Sequence, residues 1–157
     1  MKPEIVPALF GHIPTIAANI READRVELRA AWYMTPLDCM FHGLKYSEKA
    51  WTGLIDGVPV CMFGCVPSSI LGNVGRPWMV GTKSLDDHPL VFLRRCKRSG
   101  CFREMRERFD ILENYVDVRN KRAIEWLIWL GFDIWMPAEK IGPYKLPFFR
   151  FEMRGMN

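Results

Sequence analysis

The stretch NKRAIEWLIWLGF, Asn120 to Phe132, decides how the rest of the sequence is interpreted. Asparagine is a residue type that caps helices, because its side chain accepts a hydrogen bond from the first turn. Gly131 follows the last apolar residue, where glycine ends a helix by adopting the left-handed conformation without a clash. The pattern predicts a helix over 121–130 and a return to the core at Phe132. The preceding segment, Leu112–Val118, predicts a strand.

A β-hairpin is indicated earlier in the chain. The apolar runs WTGLI (51–55) and VPVCMFGCV (58–66) flank Asp56-Gly57, and this dipeptide between strand-like runs is the strongest short-range hairpin signal. The segment Pro67–Arg76 is rich in serine, glycine and asparagine and predicts a loop. Strand character returns at Pro77–Thr82, so three successive antiparallel strands are expected.

The remaining elements follow from apolar spacing, prolines and capping residues. They are an edge strand at Ile5–Leu9, a helix at Thr15–Trp32, a short helix from Thr35-Pro36, a long helix entering at Ser84–Pro89 and running to Phe109, and final strands at Phe132–Met136 and Leu146–Met153. This order of elements predicts an α/β (α+β) fold, a mixed sheet with helices packed on it.

Length and composition favour one soluble domain over residues 1–157. The chain is 49% hydrophobic, enough for a core, and no run approaches the roughly 20 apolar residues of a membrane helix. No secretion signal is visible. The net charge of +4 comes largely from Arg94–Arg108. That segment is either the solvated face of a helix or an anion-binding face. Glu104 and Glu107 dilute its positive charge and favour the solvated face, so nucleic acid is not an expected partner.

Five cysteines give two readings. Four of them could be zinc ligands, but their spacings match poorly with the usual two-residue gaps, so we predict no metal site and interpret them as reduced, structural thiols. The five are Cys39, Cys61, Cys65, Cys96 and Cys101.

The helix that begins at Asn120, taken with the hairpin, resembles the GNAT superfamily of N-acetyltransferases. The residues in register with the family signature are Asn120, Ala123, Gly131 and Phe132. On the residues alone, the same unit is a capped strand–helix pair found in many α/β proteins. The resemblance implies a mixed, mostly antiparallel sheet with flanking helices, in which two central strands, here Pro77–Thr82 and Leu112–Val118, splay apart.

The resemblance also implies acetyl-CoA (coenzyme A) as cofactor and an amine as acceptor. In the family the splayed strands leave backbone groups free to bind the pantetheine arm, and the asparagine-led helix flanks it. The cofactor-binding residues implied here are Met79, Val80, Gly81, Thr82, Lys83, Asn114, Asn120 and Ala123.

Two positions depart from the family pattern. The turn that binds the cofactor pyrophosphate is glycine-rich in the family, whereas this chain has GTKSLDDH at 81–88, where Asp86 and Asp87 would repel a phosphate unless they face away. Basic residues that could compensate are Lys83, Arg94 and Arg95.

The second departure concerns proton transfer. Many members place a tyrosine seven residues after the helix asparagine, and this chain has Leu127 there. Tyr115 and His88 are candidates to replace it, and Glu113 or Asp117 are candidate general bases beside the splayed strand. On the residues alone, Tyr115 is also a packing residue, His88 a helix-entry residue and each carboxylate an ordinary surface group.

A narrower resemblance links the chain to GNAT-like proteins of tailed phages, the internal virion protein A family. It implies a phage origin and a location in the host cytoplasm or virion interior. Two functions stay open: acetylation of an amine, including one on a host protein, or a catalytically degenerate protein that binds a virion or host partner. The matching segments are Ala17–Leu28, Ala50–Gly57, Trp78–Thr82 and Asn114–Asn120.

Overall fold

A seven-stranded sheet forms the centre of the computed structural model, which describes residues 1–68 and 72–156. The strands are β1 (Pro3–Pro7), β2 (Ala50–Ile55), β3 (Val58–Pro67), β4 (Val74–Gly81), β5 (Ile111–Asp117), β6 (Asp133–Ile141) and β7 (Leu146–Arg154). They lie in the order β1-β2-β3-β4-β5-β7-β6. All neighbours are antiparallel except β4 and β5, which run parallel.

Helices cover both faces of this sheet. They are α1 (Ile13–Ala17, after a 3-10 turn at Phe10–His12), α2 (Glu22–Trp32), α3 (Pro36–Tyr46), α4 (Lys83–Asp87), α5 (Pro89–Ser99), α6 (Cys101–Arg108) and α7 (Lys121–Leu130). One core joins α5, α6 and α7 to the sheet and includes Phe92 and Val116. A second core, on the opposite face, joins α1 and α3 to the sheet and includes Met40 and Val80.

Local signals that act over a few residues are confirmed. Asp56 and Gly57 both have positive φ, 50° and 79°, which is the conformation of a tight hairpin turn between β2 and β3. The predicted helix over 121–130 has those bounds: the side chain of Asn120 caps it by accepting a hydrogen bond from the Ala123 N–H, and Gly131 ends it at φ 103°. Thr35 likewise caps α3.

The prediction of one long helix from Ser84 to Phe109 is wrong. The chain breaks it at His88, which precedes a proline and is therefore disfavoured in helical conformation, and again at Gly100, which is left-handed with φ 83°. The apolar spacing continues across both breaks, so α4, α5 and α6 pack their apolar faces on one core.

The helix predicted over Thr15–Trp32 is also interrupted. Ile20 leaves the helix to form an isolated β-bridge with Thr82, and Arg21 is extended. This link ties the start of α2 to the end of β4. Of the predicted loop Pro67–Arg76, residues 69–71 lie outside the described part of the chain, and Val74 already begins β4.

The two central strands part as the resemblance implied. β4 and β5 pair only at their first residues, Val74 with Ile111 and Gly75 with Leu112. Beyond that point the described strands have no register with each other, although β4 stays paired with β3 and β5 with β7. A gap therefore opens inside the sheet.

Candidate functional site

A cavity of about 430 Å³ lies at the gap between β4 and β5. Successive side chains of a strand point to opposite faces, so the cavity has two halves. One half, the α7 half, lies on the face covered by α5 and α7 and is lined mainly by Pro77, Met79, Leu93, Ala123, Trp126 and Leu127. The other, the α2 half, lies on the face of α2 and α3 and is lined mainly by Glu27, Trp32, His42, Arg76, Trp78 and Tyr115.

One side chain crosses the gap. The Asn114 Nδ2 atom on β5 donates a hydrogen bond of 2.8 Å to the backbone carbonyl of Pro77 on β4, and Asn114 Oδ1 accepts one from the Tyr115 N–H. The amide thus supplies part of the bonding that the parted backbones lack at this level.

Two carboxylates of α2 hold the ends of the parted strands. Asp24 Oδ2 accepts a hydrogen bond of 2.8 Å from the Gly81 N–H at the end of β4. Glu27 Oε1 accepts one of 2.7 Å from the Asp117 N–H at the end of β5. Each satisfies a strand N–H that the other central strand would satisfy in a continuous sheet.

Burial acts on the protonation of both acids. It raises the pKa of Asp24, although the adjacent Arg21 guanidinium and the Gly81 N–H oppose the shift. Burial raises the pKa of Glu27 to about 8, against the opposing Asp117 N–H and with added repulsion from Asp24 and Asp117. The Asn120 side chain is close enough to Glu27 to oppose this shift, although its buried Nδ2 atom makes no hydrogen bond of standard geometry.

An ion network closes the cavity near α4 and α7. Arg21, only 5% exposed, bonds Asp24 Oδ1 at 2.8 Å and Asp86 Oδ1 at 3.0 Å, and its guanidinium lies 4.7 Å from the ring centroid of Trp126. Arg122 on α7 contacts the same Asp86 oxygen at 3.4 Å. The Asp86 carboxylate therefore faces two guanidinium groups.

The backbone at the start of α4 is already engaged in hydrogen bonds within the protein. The N–H of Gly81 donates to Asp24, that of Thr82 to the Val60 carbonyl, and that of Lys83 to the Asn19 carbonyl. A phosphate could not use these donors without displacing an internal acceptor.

The implied cofactor residues fall into two groups. Met79, Asn114 and Ala123 line the cavity. The other five do not line it: Val80 lies in the opposite core, Gly81 and Thr82 are buried with their N–H groups bonded, Lys83 is exposed, and Asn120 caps α7 beside a smaller pocket.

The candidate proton-transfer residues are not brought together. Tyr115 lines the cavity, as does Leu127 at the position where the family has tyrosine. Glu113 pairs with Arg150 at 3.3 Å, and His88 is an exposed residue between α4 and α5; neither is among the described residues that line the cavity. The Asp117 carboxylate bonds Arg119.

Several lining residues were not predicted from the sequence, chiefly Arg21, Asp24, Glu27 and Arg76. Apolar spacing does not identify the buried face of α2, because Val26 is 39% exposed whereas Asp24 is 8% exposed. The available signal was the charged triplet at i, i+3 and i+6, Arg21, Asp24 and Glu27, which lies on one face of a helix.

The five cysteines are free, buried thiols. Within residues 1–68 and 72–156 no group of three or more histidine, cysteine or acidic side chains is placed to hold a metal ion. No helix in this part of the chain has the length and apolar character needed to cross a membrane.

No family model and no curated protein matches the sequence. Solved structures match over nearly the whole chain. A ribosomal-protein-alanine N-acetyltransferase from Brucella melitensis has a TM-score of 0.71 and 12% identity, with 96% of this chain and 99% of that chain covered. A GNAT-family acetyltransferase from Streptococcus pneumoniae has a TM-score of 0.65 and 13% identity, with coverage of 98% and 99%.

A third match is spermidine N-acetyltransferase from Vibrio cholerae, solved with CoA and spermine. Its TM-score is 0.63 at 10% identity, with 97% of this chain and 95% of that chain covered. At such identities the likeness establishes the fold. The protein has the fold of GNAT N-acetyltransferases, and the predicted fold class is confirmed.

Proposed function

We propose that this protein is an N-acetyltransferase that uses acetyl-CoA to acetylate an amine. The observation that carries the proposal is the cavity at the parted strands, which reaches both faces of the sheet. A transfer between two substrates requires that both reach one point from separate directions, and a gap inside a sheet provides this. The CoA complex of the spermidine enzyme, which shares the fold, supports the choice of cofactor.

The α7 half fits the uncharged arm of coenzyme A. Its lining is apolar, with Leu93, Ala123 and Leu127, and the gap edges of β4 and β5 make no backbone pairs with each other beyond Gly75 and Leu112. Acetyl-CoA would supply an activated acetyl thioester there. The exposed cations Lys83, Lys121 and Arg122, near the ends of the two strands, would meet its phosphates in place of the engaged N–H groups at the start of α4.

The α2 half would then receive the amine. We propose that Tyr115, a residue that lines the cavity, gives its hydroxyl proton to the departing sulfur, because Leu127 has none to give. We propose no role for Glu113 or His88, since neither lines the cavity.

Calorimetric titration with acetyl-CoA tests the proposal. We expect saturable binding to the wild-type protein and release of CoA thiol when a suitable amine is added. Ala123→Trp should abolish binding because the indole fills the α7 half, whereas Ile128→Trp, at a 58% exposed position of the same helix, should bind normally. Absence of any binding heat at millimolar acetyl-CoA would exclude this function.

The biological acceptor is a finer proposal that rests on the resemblance to phage proteins. On that resemblance, an amine on a bacterial host protein is the alternative to a small-molecule acceptor. Expression of the wild-type protein and of Tyr115→Phe in bacteria, followed by mass spectrometry of acetylated proteins, tests it. Modified host proteins should depend on Tyr115; equal acetylation in both cultures would contradict it.

A second candidate is a GNAT-fold protein that has lost catalysis and binds a virion or host partner. The engaged N–H groups of Gly81, Thr82 and Lys83 favour it, since they leave no vacant phosphate cradle at α4. Mass spectrometry of purified phage particles and of pull-downs distinguishes the two, because only this candidate requires a stable protein partner without turnover.

A further inference from the structure

Two side chains of the α2 half are incompletely paired within the described chain. Glu27 has one carboxylate oxygen that accepts no hydrogen bond of standard geometry, and Arg76 has no carboxylate partner among the described residues. We propose that they hold the acceptor, and that the acceptor is a small amine that also carries a carboxylate. Arg76 binds the carboxylate, and Glu27 takes the proton of the ammonium group. This inference rests on the acetyl transfer proposed above and names a small-molecule substrate class in place of the host-protein amine.

Glu27 is selected by elimination among the acids at the parted strands. Both oxygens of Asp24 are engaged, by Arg21 and by the Gly81 N–H. Both oxygens of Asp117 are held by Arg119. Glu113 pairs with Arg150 and lies outside the cavity lining.

Glu27 itself uses only one oxygen. Its Oε1 atom accepts the Asp117 N–H, and the Asn120 amide lies nearby without a hydrogen bond of standard geometry, so Oε2 accepts no such bond in the described chain. Oε2 is not among the buried unpartnered atoms, and the side chain is half-buried and lines the cavity. The free oxygen is therefore accessible from the cavity.

The surroundings suit this oxygen to proton transfer. Burial and the acids Asp24 and Asp117 raise the pKa of Glu27 to about 8. Because a general base is most effective when its pKa lies close to the working pH, Glu27 can take and release a proton near neutrality. Other charged or titratable groups near it or in the same half of the cavity include Arg21, Cys39, His42, Tyr115 and Arg119.

Arg76 is a cation without an anion. It shares the α2 face of β4 with Trp78, and its guanidinium lies 4.8 Å from the ring centroid of Trp32. It is half-buried and forms no ion pair with any described residue, whereas Arg21, another cation that lines the cavity, is held by Asp24 and Asp86. A stacked, partly desolvated guanidinium presents its N–H fork to a planar anion, and a carboxylate matches that geometry.

The spacing of the two groups fits a small molecule. α2 runs opposite to β4, with Asp24 at Gly81 and Trp32 at Arg76. Glu27 precedes Trp32 by five residues, or about 7.5 Å along a helix axis. The apolar Leu28 and Ala31 line the cavity between them. An amine and a carboxylate joined by a short carbon chain span such a distance.

The proton and bond changes balance. The ammonium gives one proton to Glu27, and its nitrogen then bonds to the acetyl carbon while the carbon–sulfur bond breaks. The second amine proton ends on sulfur, with Tyr115 as the relay, and Glu27 returns its proton to water. The products are an N-acetyl amino carboxylate, the free thiol and one proton.

The test compares matched acceptors. Glycine and 4-aminobutyrate are offered beside methylamine and propylamine, which lack the carboxylate, and beside spermidine. We expect kcat/KM for the best amino carboxylate to exceed that of its matched amine at least 100-fold. Arg76→Gln should raise KM for the amino carboxylate at least tenfold without changing kcat, and Arg25→Gln, an exposed residue of α2, is the control.

Glu27 is tested by its pH signature. Glu27→Gln should lower kcat at least 100-fold and remove the rise of activity toward pH 8, whereas the exposed control Glu22→Gln should leave both unchanged. Calorimetry of 4-aminobutyrate or glycine with the cofactor-free protein gives a readout independent of turnover, and Arg76→Gln should weaken this binding.

The outcomes are distinct. Equal use of amines with and without the carboxylate, or no effect of Arg76→Gln, would overturn the assignment of Arg76. An unchanged pH profile in Glu27→Gln would overturn the assignment of Glu27. Failure of the wild-type protein to bind acetyl-CoA would refute the proposed function instead. Binding of the amino carboxylate to the cofactor-free protein is measured separately, and its loss in Arg76→Gln would support the assignment of Arg76 whatever the result with acetyl-CoA.

Discussion

Asp24 and Glu27, three residues apart on α2, accept hydrogen bonds from the N–H groups of two different strands, Gly81 at the end of β4 and Asp117 at the end of β5. One turn of helix thus spans the opening between the strands. Their chemical states differ, because Asp24 is paired with a guanidinium and Glu27 is not. Substitutions at the two positions should therefore have different consequences.

Glu27→Gln should change how stability depends on pH. The pKa of Glu27 is raised from 4.5 to about 8 in the folded protein, so the folded state holds this proton more tightly than the unfolded state. The contribution of Glu27 to the free energy of unfolding is fully present below pH 4.5. It is lost as the pH rises to 8, with a limiting slope of about 1.4 kcal/mol per pH unit. The variant should lack this component. Urea unfolding at pH 5, 7 and 9 measures it; parallel pH profiles for the two proteins would contradict it.

Asp24→Asn should destabilise the protein. The change leaves the buried Arg21 guanidinium without its nearer carboxylate, and loss of one partner of a buried pair costs about 3 kcal/mol. Asp86 remains as a second partner, so the protein should still fold. The exposed pair of Glu22 and Arg25 serves as control, and Glu22→Gln should change the free energy of unfolding little. Equal unfolding midpoints for the two variants would refute the role given to Asp24.

Asp86→Asn should tighten binding of acetyl-CoA. The Asp86 carboxylate now neutralises Arg21 and Arg122; its removal frees the exposed Arg122 guanidinium for the cofactor phosphates and leaves Arg21 paired with Asp24 alone. We expect Kd to fall about tenfold, equivalent to about 1.4 kcal/mol. Asp87→Asn, at the next and exposed position, controls for net charge and should have a smaller effect. Calorimetry in low and high salt gives the comparison, and weaker binding by Asp86→Asn would show that its ion pairs support the site.

Leu127→Tyr should increase turnover. Leu127 lines the α7 half, so a tyrosine there would place a hydroxyl in the cavity at the position where the GNAT family carries one. General acid catalysis contributes about 100-fold or more in favourable geometry, so we expect a gain of about tenfold in kcat. Leu127→Phe adds the ring without the hydroxyl and should give no gain. Equal rates in the two variants would assign any change to packing alone.

Gly43→Ala should disturb the acceptor side. A Cβ atom at Gly43 would overlap the Trp78 ring, whose Nε1 atom donates a hydrogen bond of 2.8 Å to Ser47 Oγ. Displacement of a packed indole costs about 1–3 kcal/mol and would move the ring into the cavity. KM for the amine should rise while acetyl-CoA binding persists. Gly11→Ala is the control, because nothing lies within 4 Å of the added carbon.

The parts of the fold that sequence predicts are those determined by neighbouring residues. Asn120 and Gly131 bound α7, and Asp56-Gly57 turns the hairpin, because caps and tight turns are governed by backbone groups within four residues. The breaks at His88 and Gly100 had local signals as well. Apolar periodicity continues through both, and it predicted a single helix.

The polar side of the cavity could not be predicted in this way. Asp24 and Glu27 are fixed by partners 57 and 90 residues away in the chain, at Gly81 and Asp117. Arg76 is distinguished only by the absence of an anion among the described residues around it, which no sequence window reveals. Tyr115 and Ala123 were predicted as site residues because family resemblance supplied the long-range information.

The hydrogen bond from Asn114 to Pro77 has a consequence for affinity. A ligand that enters the gap at this level must break that bond before it can make its own, so the polar gain is a difference between two similar interactions. Net attraction then comes mainly from apolar surface removed from water in the α7 half. Binding of an acyl thioester should accordingly show a large negative heat-capacity change.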